Sequence, residues 1–286
     1  MTPSLLQQCE QLLGCKISGV QAIHGGDINE ARLLETTQGP VFLKFNDGLQ
    51  AKDLLAAEAQ SRRRIAEADC IATPTILGLG QQGDTALLLL SFIRTARPGV
   101  PAWEQFGRAL AALHRITQPT FGLDHDNFIG SLPQANGACV SWAAFYRQRR
   151  LAPQLAMAME RGLLDWQDAA QFERLYGRLD ELCPVEPPAL IHGDLWSGNS
   201  LIDEQQQAVL IDPCVSYAHR EMDLAMSRLF GGFAPSFYAA YQETYPLAPG
   251  FEDRLELYQL YYLLAHVNLF GWSYVGAVKR VLGRYV

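Results

Sequence analysis

Cysteine is scarce and unpatterned in this 286-residue chain. Cys9, Cys15, Cys70, Cys139, Cys183 and Cys214 form no Cys-x-x-Cys, so neither a structural zinc cluster nor a disulfide framework is expected. A basic excess is lacking too: 23 Lys and Arg stand against 30 Asp and Glu, a formal charge of −7, which leaves no field for holding a nucleic-acid backbone. No run suits a bilayer, because the longest stretch without Asp, Glu, Lys or Arg, Leu257 to Val278, is interrupted by Gln259, His266, Asn268 and Ser273 and reads as a buried helix. The first residues show no basic segment followed by an apolar one, and Glu10 lies among them, so no secretory leader is expected and the cytoplasm is the expected compartment. Two catalytic signatures are missing as well, the Gly-x-x-x-x-Gly-Lys-Ser/Thr loop of Walker-type hydrolases and the Gly-x-Ser-x-Gly nucleophile elbow. What is present is a hydrophobic content of 49%, ample for a core, which excludes a disordered chain.

The pattern changes character near Ser91. Before it, strands are expected over roughly 18–24, 29–37 and 40–46, with Gln38-Gly39-Pro40 as a turn, then a helix over 49–68, where Leu54, Leu55, Glu58, Arg62 and Ile65 recur at helical steps. Two further runs, Thr75–Leu79 and Asp84–Phe92, flank Gly80-Gln81-Gln82-Gly83 and read as a hairpin. Residues 1–92 are therefore expected to form a small unit of five strands and one helix. After Arg97-Pro98-Gly99 the chain turns helical, with candidates at about 102–117, 139–150, 165–182, 221–230, 235–244 and 252–282, so 93–286 is expected to be a larger, mainly helical unit. A cleft between two such units is a favoured place for a ligand. One motif misleads. Gly78-Leu-Gly-Gln-Gln-Gly83 matches the dinucleotide fingerprint, yet a strand-type run follows it where that fingerprint requires a helix opening onto a pyrophosphate.

The chemistry concentrates in Leu190-Ile-His-Gly-Asp-Leu-Trp-Ser-Gly-Asn199 and Val209-Leu-Ile-Asp-Pro213. Magnesium takes hard oxygen donors, commonly a carboxylate, an amide, waters and substrate phosphates, and Asp212 with Asn199 supplies that share. Asp194 is then free to orient an incoming hydroxyl and accept its proton, which is the arrangement phosphoryl transfer needs. Turn formers alone would also explain His-Gly-Asp and Asp-Pro taken singly. The apolar runs 189–191 and 208–211 are expected to bring the three oxygen donors to one end of a hairpin. In Val41-Phe-Leu-Lys-Phe45 a lysine interrupts an apolar strand, where a buried ammonium needs a partner, and Glu58 on the next helix is the natural one. Lys44 would then face the α- and β-phosphates of a nucleotide. The glycines Gly25 and Gly26, in His24-Gly-Gly-Asp-Ile-Asn29, permit a turn whose N–H groups approach phosphate closely, although two glycines also mark an ordinary hairpin.

These residues resemble the protein-kinase-like α+β fold and, within it, the fructosamine (ketosamine) kinase family. The resemblance runs over almost the whole chain. It rests on Gly-Gly-x-Ile-Asn at 25–29, Val-Phe-Leu-Lys at 41–44, Phe-Gly-Leu-Asp at 121–124 and Gly130-x-Leu-Pro-Gln134. It continues with Trp142-x-x-Phe-Tyr-x-x-x-Arg-Leu-x-Pro-Gln154, His-Gly-Asp-Leu-Trp-Ser-Gly-Asn at 192–199, Asp212-Pro213 and the block from His219 to Phe233. It implies a nucleotide-binding lobe at 1–92, a catalytic and substrate-binding lobe at 93–286, and phosphorylation of a ketosamine by ATP with Mg²⁺ at the third carbon of the sugar, a deglycation step. It implies Asp194 as base, Asn199 and Asp212 as magnesium ligands, Lys44 with Glu58 on the ATP phosphates, and the backbone of Ser91, Phe92 and Ile93 on adenine. Trp196 would cover the sugar's C–H face, its alternative being a packing tryptophan. Asp223 is expected to be buried and to hold the backbone of the catalytic loop, and His192 to orient that loop. His219 and Arg220 either line the substrate pocket or pair with a nearby acid. Ala218 stands where the family usually has Gly, Asp27 where some members have Cys, and Ser91 where an acid is common.

Two other functions compete. One keeps the kinase and changes the acceptor to an aminoglycoside or an amino alcohol such as choline. The other is a kinase-shaped module without catalysis, disfavoured because Lys44, Asp194, Asn199 and Asp212 are all present. The aromatic tail, with Tyr258, Tyr261, Tyr262, Phe270, Trp272 and Tyr274, is expected to be core, a dimer face being the alternative.

Overall fold

The computed structural model describes residues 2–23 and 30–286. Gly25 and Gly26 lie outside the described residues. An antiparallel sheet in the order β1-β2-β3-β5-β4 dominates the first ninety residues, with β1 at Ile17–Ile23, β2 at Glu30–Thr36, β3 at Gly39–Asp47, β4 at Ile76–Gln82 and β5 at Thr85–Ser91. Helix α1 (Pro3–Leu13) covers one face and α2 (Ala51–Glu67) serves the other. Leu5 and Cys9 of α1 pack with Val41, Leu43, Phe45, Leu87 and Leu89, whereas Leu55 and Ala59 of α2 pack with Ala86, Leu88 and Leu90. Because both faces are covered, β5 reads as the unbroken run Ala86–Leu90. The expected five strands are all present, but there are two helices where one was expected. Helix α1 announces itself through Thr2, whose hydroxyl caps Leu5 N, through Pro3 in the first turn, and through Gly14 in the left-handed conformation at the end.

The structure also explains the misleading glycine motif. A Cβ at Gly78 would lie 3.1 Å from the side chain of Leu12, and one at Gly80 would lie 3.0 Å from Gln8 and Leu12, so these glycines let α1 seat against β4. Gly83, at φ +60°, closes the β4–β5 turn. No helix follows, and the dinucleotide reading falls.

Beyond Ser91 the chain is mainly helical. Helix α3 (Val100–Leu113) precedes a short hairpin, β6 (Asn127–Ile129) with β7 (Leu132–Gln134). Then come α4 (Trp142–Phe145), a π-helical turn Tyr146–Leu151, α5 (Ala152–Glu160), α6 (Trp166–Tyr176) and α7 (Leu179–Leu182). Short strands follow: β8 (Ala189–Ile191), β9 (Ser200–Ile202), β10 (Ala208–Leu210) and β11 (Ser216–Ala218). The chain finishes with α8 (Glu221–Leu229), α9 (Pro235–Thr244), α10 (Phe251–Phe270) and α11 (Val275–Tyr285). Gly177 and Gly271 divide the helices expected at 165–182 and 252–282, and the helix expected at 139–150 begins at Trp142 and runs through the π turn to Glu160. Helices α3 and α9 meet backbone to backbone at Gly107, where a Cβ would lie 2.2 Å from Phe237 O. Tyr258, Tyr261 and Tyr262 of α10 are buried as expected, but Phe270 and Trp272 are 50% and 68% exposed. Among the described residues no helix is long and apolar enough to cross a membrane.

Candidate active site

The runs 189–191 and 208–210 do not pair with each other, contrary to expectation: β8 pairs with β11, and β10 with β9. The candidate site residues Asp194, Asn199 and Asp212 are gathered by the segments between these strands. His192 does the stitching. Its Nδ1 accepts from Asp194 N at 3.2 Å and its Nε2 donates to Ile211 O at 2.9 Å, which ties the loop carrying Asp194 to the segment carrying Asp212. Burial holds the His192 ring below the usual imidazole range, and so neutral, as this pattern of one acceptor and one donor requires. Cys214 N donates to His192 O, and Ile211 N to Asn199 O, both at 3.0 Å.

The loop needs an unusual backbone. Gly193 has φ +89°, and a Cβ there would lie 2.2 Å from Cys214 O, so only glycine fits both the conformation and the space. Asp212 is a non-glycine residue at φ +54°, a strained state of the kind that persists where the surroundings fix it. Asp223, fully buried near the start of α8, accepts from His192 N at 2.7 Å and from Gly193 N at 2.9 Å, one backbone donor per oxygen. This is the role expected of it.

Asn199 Nδ2 donates to both Asp194 Oδ2 and Asp194 O, each at 2.9 Å. That fixes the Asp194 rotamer and leaves Asp194 Oδ1 and Asn199 Oδ1 outside this pair of bonds. Burial, together with the charges of Asp212 and Asp223 and against the Asn199 bond, pushes the Asp194 carboxyl up to about 7. Lys44 from β3 donates to Glu58 Oε1 and Oε2 at 3.1 and 3.2 Å and also pairs with Asp212 Oδ1. The first ninety residues thereby reach the catalytic segment directly. Burial acts to raise the Asp212 carboxyl, but Lys44 and Arg62 together hold it below the usual range.

Arg62 is the residue that sequence reasoning missed as part of the site. Only 1% exposed, it binds Glu58 Oε1 at 2.6 Å and Asp212 Oδ1 at 2.9 Å, and it donates to Thr73. Its one signal was position, four residues after Glu58 on the same helical face. His114 was missed as well. Its Nε2 lies 3.2 Å from Asp223 Oδ2 and its Nδ1 2.8 Å from Tyr241 Oη, a buried support beneath Asp223 that nothing local in the sequence signals.

Trp196 is half-buried and makes a T-shaped pair with Phe230 at 6.1 Å between ring centroids. A Cβ at Gly198 would lie 2.3 Å from the indole, so the ring rests on that glycine. Of the two alternatives for His219 and Arg220, the structure shows the local one, internal pairing. Both are buried. Arg220 binds Glu186 through two bonds of 2.7 and 2.8 Å and caps the carbonyls of Tyr245 and Pro246. His219 lies against Tyr258 and accepts from Glu221 N, while Glu221 is held by Arg254. Glu186, His219 and Glu221 are close enough to suggest a cation site, but each carboxylate already has its own arginine. Ser91 is tied into the sheet edge, exchanging bonds with Thr75. With Phe92 and Ile93 it lines a cavity of about 570 Å³ bounded also by Leu12, Val41 and the Asp203–Gln205 turn, to which Lys44, Asp194, Asn199 and Asp212 do not contribute.

A sequence model of the fructosamine kinase family matches residues 1–286. The chain belongs to the fructosamine kinase family. An inferred ketoamine kinase from Lactiplantibacillus plantarum is 41% identical over 280 residues, covering 94% of this chain and 95% of that protein. A protein-ribulosamine 3-kinase, chloroplastic, from Oryza sativa subsp. indica is 34% identical over 95% of this chain and 80% of its own length. Among solved structures, a candidate fructosamine-3-kinase from Thermobifida fusca superposes with a TM-score of 0.90 at 33% identity, covering 100% of this chain and 99% of that one. A spectinomycin phosphotransferase solved with ADP and spectinomycin shares the fold, with a TM-score of 0.56 at 18% identity over 98% of this chain and 93% of that one. The protein is a small-molecule kinase of the ketosamine kinase type with a kinase-like α+β fold.

Proposed function

We propose that this fructosamine kinase family member transfers the γ-phosphoryl group of ATP to the 3-hydroxyl of a ketosamine, a ribulosamine, erythrulosamine or fructosamine, as a step in removing sugar from amines. The observation that carries the reading is the convergence of Asp194, Asn199, Asp212 and Lys44 through the bonds described above. The donor set suits a hard cation, since Asn199 Oδ1 and Asp212 Oδ2 are oxygens not claimed by Asp194, Lys44 or Arg62. Magnesium bound there would supply charge neutralisation at the phosphate oxygens.

The chain's own residues do the remainder. Lys44, held by Glu58, presents its ammonium to the α- and β-phosphates, and Gly25 and Gly26 are the further nucleotide-binding residues that this reading calls for. Residues 1–92 hold the nucleotide, with the backbone of Ser91, Phe92 and Ile93 meeting adenine, and 93–286 carry the base and the sugar site. Asp194 Oδ1 orients the sugar hydroxyl and takes its proton as the new P–O bond forms and the bond to the β-phosphate oxygen breaks, leaving ADP. Trp196 covers the apolar face of the sugar. The test is an ATP-consumption assay with ribulosyl, erythrulosyl and fructosyl amines against an aminoglycoside and choline at equal concentration. ADP formation with the ketosamines alone is expected; turnover confined to the aminoglycoside or choline overturns the assignment.

A further inference from the structure

Lys44 and Asp212 each have a ligand to meet, phosphates for one and a cation for the other, yet in this structure they hold each other. The Lys44 ammonium donates to Glu58 Oε1 and Oε2 at 3.1 and 3.2 Å and to Asp212 Oδ1. An ammonium that departs for a phosphate leaves two carboxylates behind it, and a buried carboxylate stripped of its partner is strongly destabilising. The Glu58 side chain is only 12% exposed, so water replaces little of what it would lose.

Arg62 removes that obstacle. Its Nη2 donates to Glu58 Oε1 at 2.6 Å and to Asp212 Oδ1 at 2.9 Å, and its Nε to Glu58 Oε1 at 3.0 Å, so one guanidinium grips the same two carboxylates that Lys44 grips. Its Nη1 reaches Thr73 Oγ1 at 3.4 Å. The side chain is 1% exposed and stands one turn after Glu58 on α2, whose buried residues include Leu55, Ala59 and Ile65. A planar fork anchored this way stays in place, whereas the Lys44 ammonium, on a flexible stem, can swing. The charges agree with that division: two carboxylates and two cations balance, while a lone lysine between the two anions is held by both.

We propose that Arg62 is a positioning residue for nucleotide binding: it keeps Glu58 and Asp212 paired while the Lys44 ammonium turns from Asp212 to the nucleotide phosphates. This rests on the phosphoryl-transfer reading above. Arg62 acts through Lys44 and does not touch the ligand, because its bonds all run to Glu58, Asp212 and Thr73 and the side chain is closed off from solvent. Without it, Lys44 stays between the two carboxylates and ATP loses the lysine contact.

The test is the Kd for ATP and for adenosine, measured by calorimetry with EDTA present so that no divalent cation contributes, at a temperature where every variant is folded. Lys44→Met and Arg62→Met are each expected to weaken ATP about ten-fold, the worth of one charge-assisted contact, and to leave adenosine within about two-fold. In the double variant the losses should not multiply, since both substitutions remove the same phosphate contact. Arg62→Lys, which keeps the charge, should recover most of the ATP affinity. If Arg62→Met does not fold, Arg62→Gln takes its place in the same comparisons. A neutral Arg62 variant that binds ATP as wild type does, or that weakens adenosine as much as ATP, overturns the proposal, and so does a double variant about a hundred-fold weaker than wild type. Unchanged ATP affinity in Lys44→Met is a different failure, since it removes the phosphate role of Lys44 itself and the Arg62 proposal with it.

Discussion

Replacing Asp223 by Asn tests what holds the catalytic loop. The carboxylate is fully buried and accepts backbone N–H bonds from His192 and Gly193 on separate oxygens, at 2.7 and 2.9 Å, with His114 Nε2 at 3.2 Å. In Asp223→Asn the shape persists, but one oxygen becomes an NH₂ that faces a donor. One charge-assisted bond is lost, worth about 1.5–3 kcal/mol, and a buried N–H is left unpaired at about 1–3 kcal/mol more, so a loss of about 3–5 kcal/mol is expected. That is a large fraction of a typical folding free energy. Urea unfolding followed by tryptophan fluorescence reads it, with Glu104→Gln as control, since the exposed Glu104–Arg108 pair should contribute less than about 1 kcal/mol. A loss below about 1 kcal/mol in Asp223→Asn would refute the claim that this side chain organises the loop.

Arg62→Met should destabilise by about 3 kcal/mol, because it leaves Glu58 and Asp212 with Lys44 alone, whereas Lys44→Met should raise KM for ATP more than it lowers the melting temperature. The reverse ranking in thermal unfolding would count against the geometry. Gly193→Ala places a Cβ 2.2 Å from Cys214 O at φ +89°, so a loss of at least about 2 kcal/mol and of phosphoryl transfer is expected; an unchanged melting curve would contradict it. His219 is pushed down to about 4, by burial first and with Arg220 and Arg254 adding to it against Glu186, from an ordinary 6.5. The unfolded chain takes up this proton below pH 6.5 and the folded one does not until about 4. The contribution is therefore full above pH 6.5 and lost as pH falls, by up to about 3 kcal/mol at pH 4. His219→Gln should flatten that limb of a stability–pH curve.

What was legible from the sequence follows the physics of each signal. The β5 run, the apolar strand that Lys44 interrupts and the Gly80–Gly83 turn are local patterns, and they point to the sheet. Helix α1 carries its signal only in its end residues, Thr2, Pro3 and Gly14, and α10 ends at a single glycine, Gly271, inside an otherwise continuous helical pattern. Strands of three residues carry no periodicity, so the pairing of β8 with β11 was not readable. The Lys44–Glu58 pair followed from the need of a buried ammonium for a partner, but His114 and Arg62 take their meaning from residues 109 to 150 positions away. His219 and Arg220 adjoin the site in sequence, yet their partners Glu186, Glu221 and Tyr245 draw them into the interior.

The most direct measurement is the rate of ADP formation with saturating ATP, magnesium and ribulosyl-lysine, for wild type and Asp194→Asn. The account predicts turnover by wild type and a rate about three decades lower in the variant with an unchanged melting temperature, because proton acceptance and hydroxyl orientation are lost together while Asn199 stays in place. A variant within ten-fold of wild type would contradict it.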